Sequence, residues 1–148
     1  MACATLDLES ELLQGERLLL RTIRLLALRA ACPALRRLFD DACGCGGGEA
    51  YGALAVMMQQ LGVHGRRRID LAPPGGQPTA DERVLLEAFA RAQVDDYRGL
   101  EASLEDLSGA EAPASMGAAA CVVAEVFAMA GLMLPLRSEP LIFRFAAE

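Results

Sequence analysis

Two cysteines one residue apart and a single histidine are the residues of this chain best suited to hold a metal or to react as thiols. Cys43 and Cys45 lie in a glycine-rich stretch, and His64 follows further along the chain. Soft metals prefer thiolate and imidazole ligands. The usual zinc pattern places two residues between its cysteines, and a fourth ligand requires Cys32 or Cys121 to come close. The alternative is two ordinary thiols in a loop.

Three consecutive arginines, Arg66, Arg67 and Arg68, form a compact positive cluster. Such a cluster can bind a phosphate, a nucleic-acid backbone or an acidic protein surface. No aromatic residue is interleaved with it, and the chain carries a net charge of −6. The alternative is that the arginines neutralise acidic clusters within the fold or across a dimer, namely Asp95, Asp96, Glu105 and Asp106.

Glu125 is the one charged residue between Pro113 and Pro135. Buried carboxylates are rare unless they are paired, so we expect Glu125 to pair with an arginine of the first helix or with His64. It could act as a general base with a raised pKa in a pocket, or it could form a structural ion pair or reach water at a helix edge. No nucleophile and base accompany it, so we predict a non-enzymatic protein without a cofactor.

The residues around Glu125 predict one helix from about residue 114 to residue 134. Proline suits the start of a helix and blocks its continuation, and the segment lies between two prolines. A helix that is apolar on every side is buried in a core or spans a membrane. Alanine and glycine make up about half of the segment, which makes it only weakly hydrophobic, and the charge of Glu125 near its middle would be costly in lipid. We therefore predict a buried central helix rather than a membrane span. Its small residues follow one stripe: Gly117, Cys121, Ala124, Ala128 and Gly131.

An amphipathic first helix is predicted from about residue 10 to residue 31, with Ser10 as a possible N-cap. Arg17, Arg21 and Arg24 share one face, opposite the leucines. This basic stripe indicates either contact with an anionic membrane or acidic partner, or an ordinary solvated face.

Further helices are expected at about 33–42, 49–63, 79–92 and 95–107, and Tyr97 is expected to face inward. Thr79 and Glu82 have the spacing of a capping box. The Cys43–Gly48 stretch is predicted to be a hinge. Residues 68–71 and 140–145 alternate weakly between polar and apolar side chains, a pattern compatible with a minor two-stranded ribbon.

The chain of 148 residues is long enough for one domain, expected at 10–148 after a loose segment 1–9. Hydrophobic residues make up 53% of it, which excludes general disorder. Its acidity argues against a general nucleic-acid binder. Five cysteines, an odd number, and no signal peptide predict a cytoplasmic protein with free thiols.

The segment from Arg68 to Gly75, RIDLAPPG, followed by TADERVLL from Thr79, resembles an uncharacterised family of small alphaproteobacterial helical proteins. The resemblance covers roughly residues 16–95 and implies an origin but no activity. That family carries cysteines where this chain has Pro74, Gly75 and Gly76, so a metal role does not carry over.

Together these patterns predict an all-α domain of five or six helices around a buried C-terminal helix. The favoured function is a protein-interaction or regulatory module that acts as a homodimer or binds another protein. The alternatives are a thiol- or metal-binding protein using Cys43 and Cys45, and a nucleic-acid-binding regulator using Arg66–Arg68.

Overall fold

A computed structural model of the protein describes residues 12–28 and 33–137. The described residues form an all-α bundle without a strand, which confirms the predicted fold class. The predicted segments 1–9 and 140–145 lie outside the described residues, and residues 68–71 are not in a strand. The helices are α1 Gln14–Ala27, α2 Pro33–Cys43, α3 Gly47–His64, α4 Ala80–Gln93, α5 Tyr97–Ser108 and α6 Ala114–Met129, with a 3₁₀ turn at Gly44–Gly46.

The core lies where α6 packs against α3 and α4. Phe127 of α6 is fully buried and its ring centroid lies 5.9 Å from that of Phe39 on α2. The ring of Phe39 in turn meets Tyr51 of α3 edge-on at 5.6 Å. Aromatic pairs in these orientations add to the stabilisation from buried area. Phe39 therefore joins α2 to both α3 and α6 at the centre of the bundle.

The C-terminal helix is shorter than predicted and is not buried on every side. It ends at Met129 because Gly131 adopts a left-handed conformation with φ +78°, which glycine tolerates and which terminates helices. The chain then continues without helical structure, yet Leu132 and Leu134 remain buried. No helix among the described residues is both long enough and apolar enough to cross a membrane.

Gln93, at the end of α4, holds the segment that follows α6. Its side-chain amide donates to the carbonyl of Leu132 at 2.9 Å and to that of Ala124 at 3.3 Å. Its side-chain oxygen accepts from the backbone N–H of Leu134 at 2.8 Å. These bonds replace backbone pairing that a continued helix would have supplied.

The predicted hinge at Cys43–Gly48 is a 3₁₀ turn that leads directly into α3. Gly47 is buried there, and a Cβ at this position would lie 2.5 Å from the carbonyl oxygen of Phe39. The glycine permits the close approach of two backbones rather than free rotation. The hinge prediction was wrong because the composition does not reveal which glycine is packed.

The capping box predicted at the start of α4 is confirmed. Thr79 Oγ1 accepts from the Glu82 N–H at 3.1 Å, and the Glu82 carboxylate accepts from the Thr79 N–H at 2.9 Å. The same carboxylate accepts two hydrogen bonds from the Arg24 guanidinium, at 2.6 and 3.0 Å. Glu82 is 0% exposed and Arg24 is 8% exposed in their side chains, so this ion pair joins α1 to α4 inside the protein.

We expect alanine to have opposite effects at two glycines of α3. Gly47→Ala should lower the free energy of unfolding by about 1–3 kcal/mol, because its Cβ collides with the Phe39 backbone. Gly52→Ala should raise it by about 0.5–1 kcal/mol, because the site is open and alanine favours helix. Urea unfolding followed by circular dichroism measures both. Equal stability of the two variants would contradict the packed turn.

Candidate functional site

The outer face of α6 is an exposed surface with almost no charge. Its inner face is buried against the bundle, whereas the opposite face is exposed or half-buried. That outer face consists of small and apolar side chains with a single charge at Glu125. Its members are Ala114, Ala118, Cys121, Val122, Glu125, Ala128 and Met129.

Apolar side chains at the end of α6 and in neighbouring segments are strongly exposed. Met129 is 82% exposed, Met133 is 59% exposed and Tyr97 is 58% exposed. Tyr97 lies close enough to Cys121 and Glu125 for their charges to influence its pKa. Contiguous exposed apolar surface on a small protein usually marks a site of interaction. We call Tyr97, Met133 and the seven residues just named on α6 the α6 face.

Glu125 is exposed on this face, which agrees with the alternative that it reaches water at a helix edge and not with a buried, paired carboxylate. Within the described residues it has no hydrogen bond or ion pair, so neither an arginine of α1 nor His64 is its partner. The helical pattern showed Glu125 surrounded by apolar residues, but it did not show that this side of α6 lacks a covering helix. A buried general base at this position is therefore not part of the structure.

A shallow groove of about 470 Å³ runs between α5 and α6 along the edge of the α6 face. Two acidic residues, Glu101 and Glu111, lie among its lining residues. Partial burial, with smaller effects from Asp95 and Glu125, raises the pKa of the Cys121 thiol. A hydrogen bond to Asp95 raises the pKa of Tyr97. Both groups are therefore held protonated at neutral pH, which makes them poor nucleophiles and suits them to packing.

The candidate metal residues are not brought together. Cys43 ends α2 and Cys45 lies in the 3₁₀ turn before α3, whereas His64 is the last residue of α3. At 1.5 Å per residue, α3 separates the two ends by roughly 26 Å. No group of three potential metal ligands occurs in residues 12–28 and 33–137. Burial, and secondarily the charge of Asp40, raises the pKa of Cys43, which disfavours its thiolate.

The arginine cluster is exposed, but one of its members fastens the loop before α4. The Arg67 guanidinium donates to the Asp81 carboxylate at 2.6 and 3.3 Å and to the Asp106 carbonyl at 2.7 Å. The Arg66 N–H donates to the Ser108 carbonyl at 2.6 Å. Arg67 thus joins the loop to α4 and α5, which agrees with a role inside the fold. Of the three arginines in this cluster, Arg66 and Arg68 have side chains without a partner among the described residues.

Comparison of the chain with protein-family models, with curated proteins and with solved structures found no match. The resemblance to the alphaproteobacterial family stays a prediction. The function must accordingly be argued from the site itself.

Sequence reasoning missed Tyr97 and the exposed methionines as surface residues. Tyr97 was expected to face inward with Leu100 and Leu104, which are buried. Its position as the first residue of α5, directly after the N-cap Asp96, places it beyond the packed part of the helix. The outer face of α6 has a signal in the sequence, since Ala114, Ala118, Cys121, Glu125 and Ala128 recur at spacings of four, three, four and three.

Alanine substitution should distinguish the three arginines. Arg67→Ala should lower the urea midpoint of unfolding, because it removes hydrogen bonds that connect the loop to Asp81 and Asp106. Arg66→Ala and Arg68→Ala are the matched controls and should leave the midpoint unchanged, since surface charges without partners contribute little. Equal effects of all three substitutions would show that charge, not the Arg67 contacts, matters.

Acid should weaken the fold through Asp81. Hydrogen bonds from Arg67 and then from the Asp70 N–H hold the pKa of Asp81 below its usual value. A lowered folded pKa contributes stability that is present above the unfolded value of about 3.9 and is lost as the pH falls through the folded value. We therefore expect the free energy of unfolding to decrease as the pH drops below about 4.

Asp81→Asn should reduce this acid dependence. Asp70→Asn is the control, because the Asp70 side chain makes no hydrogen bond within the described residues. Urea midpoints measured between pH 3 and 7 provide the comparison. If Asp81→Asn showed the same acid dependence as the wild type, Asp81 would not be the group responsible.

Proposed function

We propose that this protein is a non-enzymatic interaction module that forms a homodimer through the α6 face. The observation that carries the proposal is a helix that buries one side and exposes an opposite side made of alanine, cysteine, valine and methionine. Covering such a surface is favourable by about 25 cal/mol per Å² of apolar area. Because Tyr97 of α5 lies beside Cys121 and Glu125, the surface is broader than one helical stripe.

Small side chains on the α6 face favour a second helix as the occupant. Ala114, Ala118, Cys121 and Ala128 leave the α6 backbone accessible to close packing. Their spacing of four, three and seven residues matches the seam along which two helices pack at a shallow angle. A second copy of α6 supplies the same surface, as a symmetric dimer requires.

The position of Glu125 favours antiparallel packing of the two copies. In a two-fold arrangement centred between Cys121 and Val122, the midpoint of α6, Glu125 lies opposite Ala118 of the partner. The two Glu125 residues are then seven residues apart along the axis, or about 10 Å at 1.5 Å per residue. That distance is about one Debye length, so their repulsion is weak. Parallel packing in register would place the two carboxylates side by side.

The chemistry of the α6 face supports an interaction rather than catalysis. Cys121 and Tyr97 have raised pKa values and are therefore protonated, and Glu125 has no base or nucleophile paired with it in the described structure. The proposal includes a reducing cytoplasmic location, supported by the free thiols of Cys43, Cys45 and Cys121.

Introducing a negative or a positive charge at Ala118 tests both the dimer and the antiparallel orientation of its two α6 helices. Ala118→Glu should weaken dimerisation by about tenfold or more, because the new carboxylate faces Glu125 of the partner in two symmetric positions. Ala118→Lys should dimerise better than Ala118→Glu, because the ammonium faces the same carboxylate. Analytical ultracentrifugation over a range of protein concentrations measures the dissociation constants.

Ala102→Glu is the matched control, since Ala102 is exposed on α5 and lies away from the α6 face. It should dimerise like the wild type. A wild-type protein that stays monomeric at high concentration would overturn the homodimer. A dimer that tolerates Ala118→Glu as well as Ala102→Glu would place the interface elsewhere.

A further inference from the structure

A second surface, away from the α6 face, forms a cavity of about 450 Å³ between α1 and the loop that precedes α4. Sites for small molecules commonly have volumes of about 300–1,000 Å³. The lining combines arginines with leucine and proline side chains and two glycines. Its residues are Leu12, Arg17, Leu20, Arg21, Arg24, Leu25, Pro74, Gly75, Gly76 and Pro78.

The charge of this cavity is opposite to that of the protein. Three arginines line it and no acidic residue does so within the described part of the chain, although the whole chain carries a net charge of −6. Arg17 and Arg21 are exposed, and neither guanidinium has a hydrogen bond or ion pair with a described residue. Residues four apart on a helix have Cβ atoms about 6 Å apart, so both side chains can reach one anion.

Arg24 differs from the other two because it is fixed. Glu82 takes up two of its five N–H donors and neutralises its charge. The remaining donors belong to a side chain that is buried, held in one geometry and part of the cavity wall. A fixed donor beside two free guanidiniums loses little conformational entropy when a ligand binds. The Arg24–Glu82 ion pair therefore prepares one side of the cavity for an anion.

The rest of the lining suits an apolar group. Leu20 is buried, while Leu12 and Leu25 are half-buried. Pro74 and Pro78 form the opposite wall, and the turn between them is set by the left-handed conformation of Gly75, φ +83°, and by a 2.9 Å bond from the Gly76 N–H to the Pro73 carbonyl. Pro74 and Pro78 have a fixed φ, which limits the conformational entropy that these two positions can lose when a ligand binds.

We propose that this cavity binds a small phosphate monoester that carries an apolar or aromatic group. Two uncompensated guanidiniums match the double negative charge of a phosphate monoester better than the single charge of a carboxylate. The leucine and proline walls would cover the apolar group. The phosphate monoester can be a soluble molecule or the headgroup of a lipid, and the experiment distinguishes these two sources.

Isothermal titration calorimetry of the full 148-residue chain with phenyl phosphate tests the site. We expect binding that weakens with added salt, because the ionic contacts lie at the surface. Inorganic phosphate and phenol each supply half of the ligand and should bind at least about tenfold more weakly. NMR chemical shifts provide a second measure of phenyl phosphate binding. Absence of a heat of binding, of a chemical-shift change with phenyl phosphate and of vesicle binding would together overturn the proposal.

Vesicle sedimentation identifies the source of the phosphate monoester. Phosphatidylcholine vesicles containing phosphatidic acid present it as a lipid headgroup, and pure phosphatidylcholine vesicles are the control. Retention on the first vesicles only would support a lipid source, whereas binding of phenyl phosphate without retention would support a soluble one. Equal retention on both vesicle types without phenyl phosphate binding would overturn the site.

Three variants locate the binding. Arg21→Gln should weaken phenyl phosphate binding by about tenfold or more by removing a charged donor. Leu25→Trp keeps every charge but fills the cavity, so it should weaken binding to a similar extent. Arg37→Gln removes an equivalent exposed charge from α2, outside the cavity, and should bind like the wild type. Equal losses in Arg21→Gln and Arg37→Gln would show non-specific attraction and overturn the cavity site.

Discussion

The buried ion pair between Arg24 and Glu82 is the interaction on which the arrangement of the N-terminal half depends. Glu82 receives two hydrogen bonds from Arg24 of α1 while it closes the capping box with Thr79. Removing one partner of a buried pair leaves an uncompensated charge and typically costs about 3–5 kcal/mol. One carboxylate therefore sets where α4 begins, how α1 lies against it and which side chains line the basic cavity.

The loop between α3 and α4 is held by polar bonds, in addition to Ile69 and Leu71, which pack against the core. Thr79 Oγ1 donates to the Asp70 carbonyl at 2.6 Å, and Asp81 accepts from both Arg67 and the Asp70 N–H. These contacts let a segment rich in proline and glycine keep a defined path without regular structure. The Arg67 side chain, which looked like part of a binding patch, belongs to this framework. A fixed loop is also what gives the cavity beside α1 its second wall.

One face of α6 is buried and the opposite face is exposed or half-buried. The inner face, centred on Ala120, Val123 and Phe127, packs against α3 and α4 and holds the core together. The outer face carries almost no charge, yet no other described element covers it. A globular domain of this size normally shields an apolar helix on all sides, and the proposed dimer would cover the outer face. The proposed dimer and the proposed anion site use different surfaces, so a failure of one does not affect the other.

The sequence by itself determined the helical class, the element order and several boundaries. Local signals suffice for these features, as the Thr79–Glu82 cap shows. Tertiary structure decided which side of each helix is covered, because that depends on neighbours distant in the chain. The helical pattern left both a buried pair and a water-exposed edge open for Glu125, and the run of glycines predicted a hinge at Gly47. Packing leaves Glu125 exposed and Gly47 buried. The pairing of Arg24 with Glu82, 58 residues apart, likewise has no local signal.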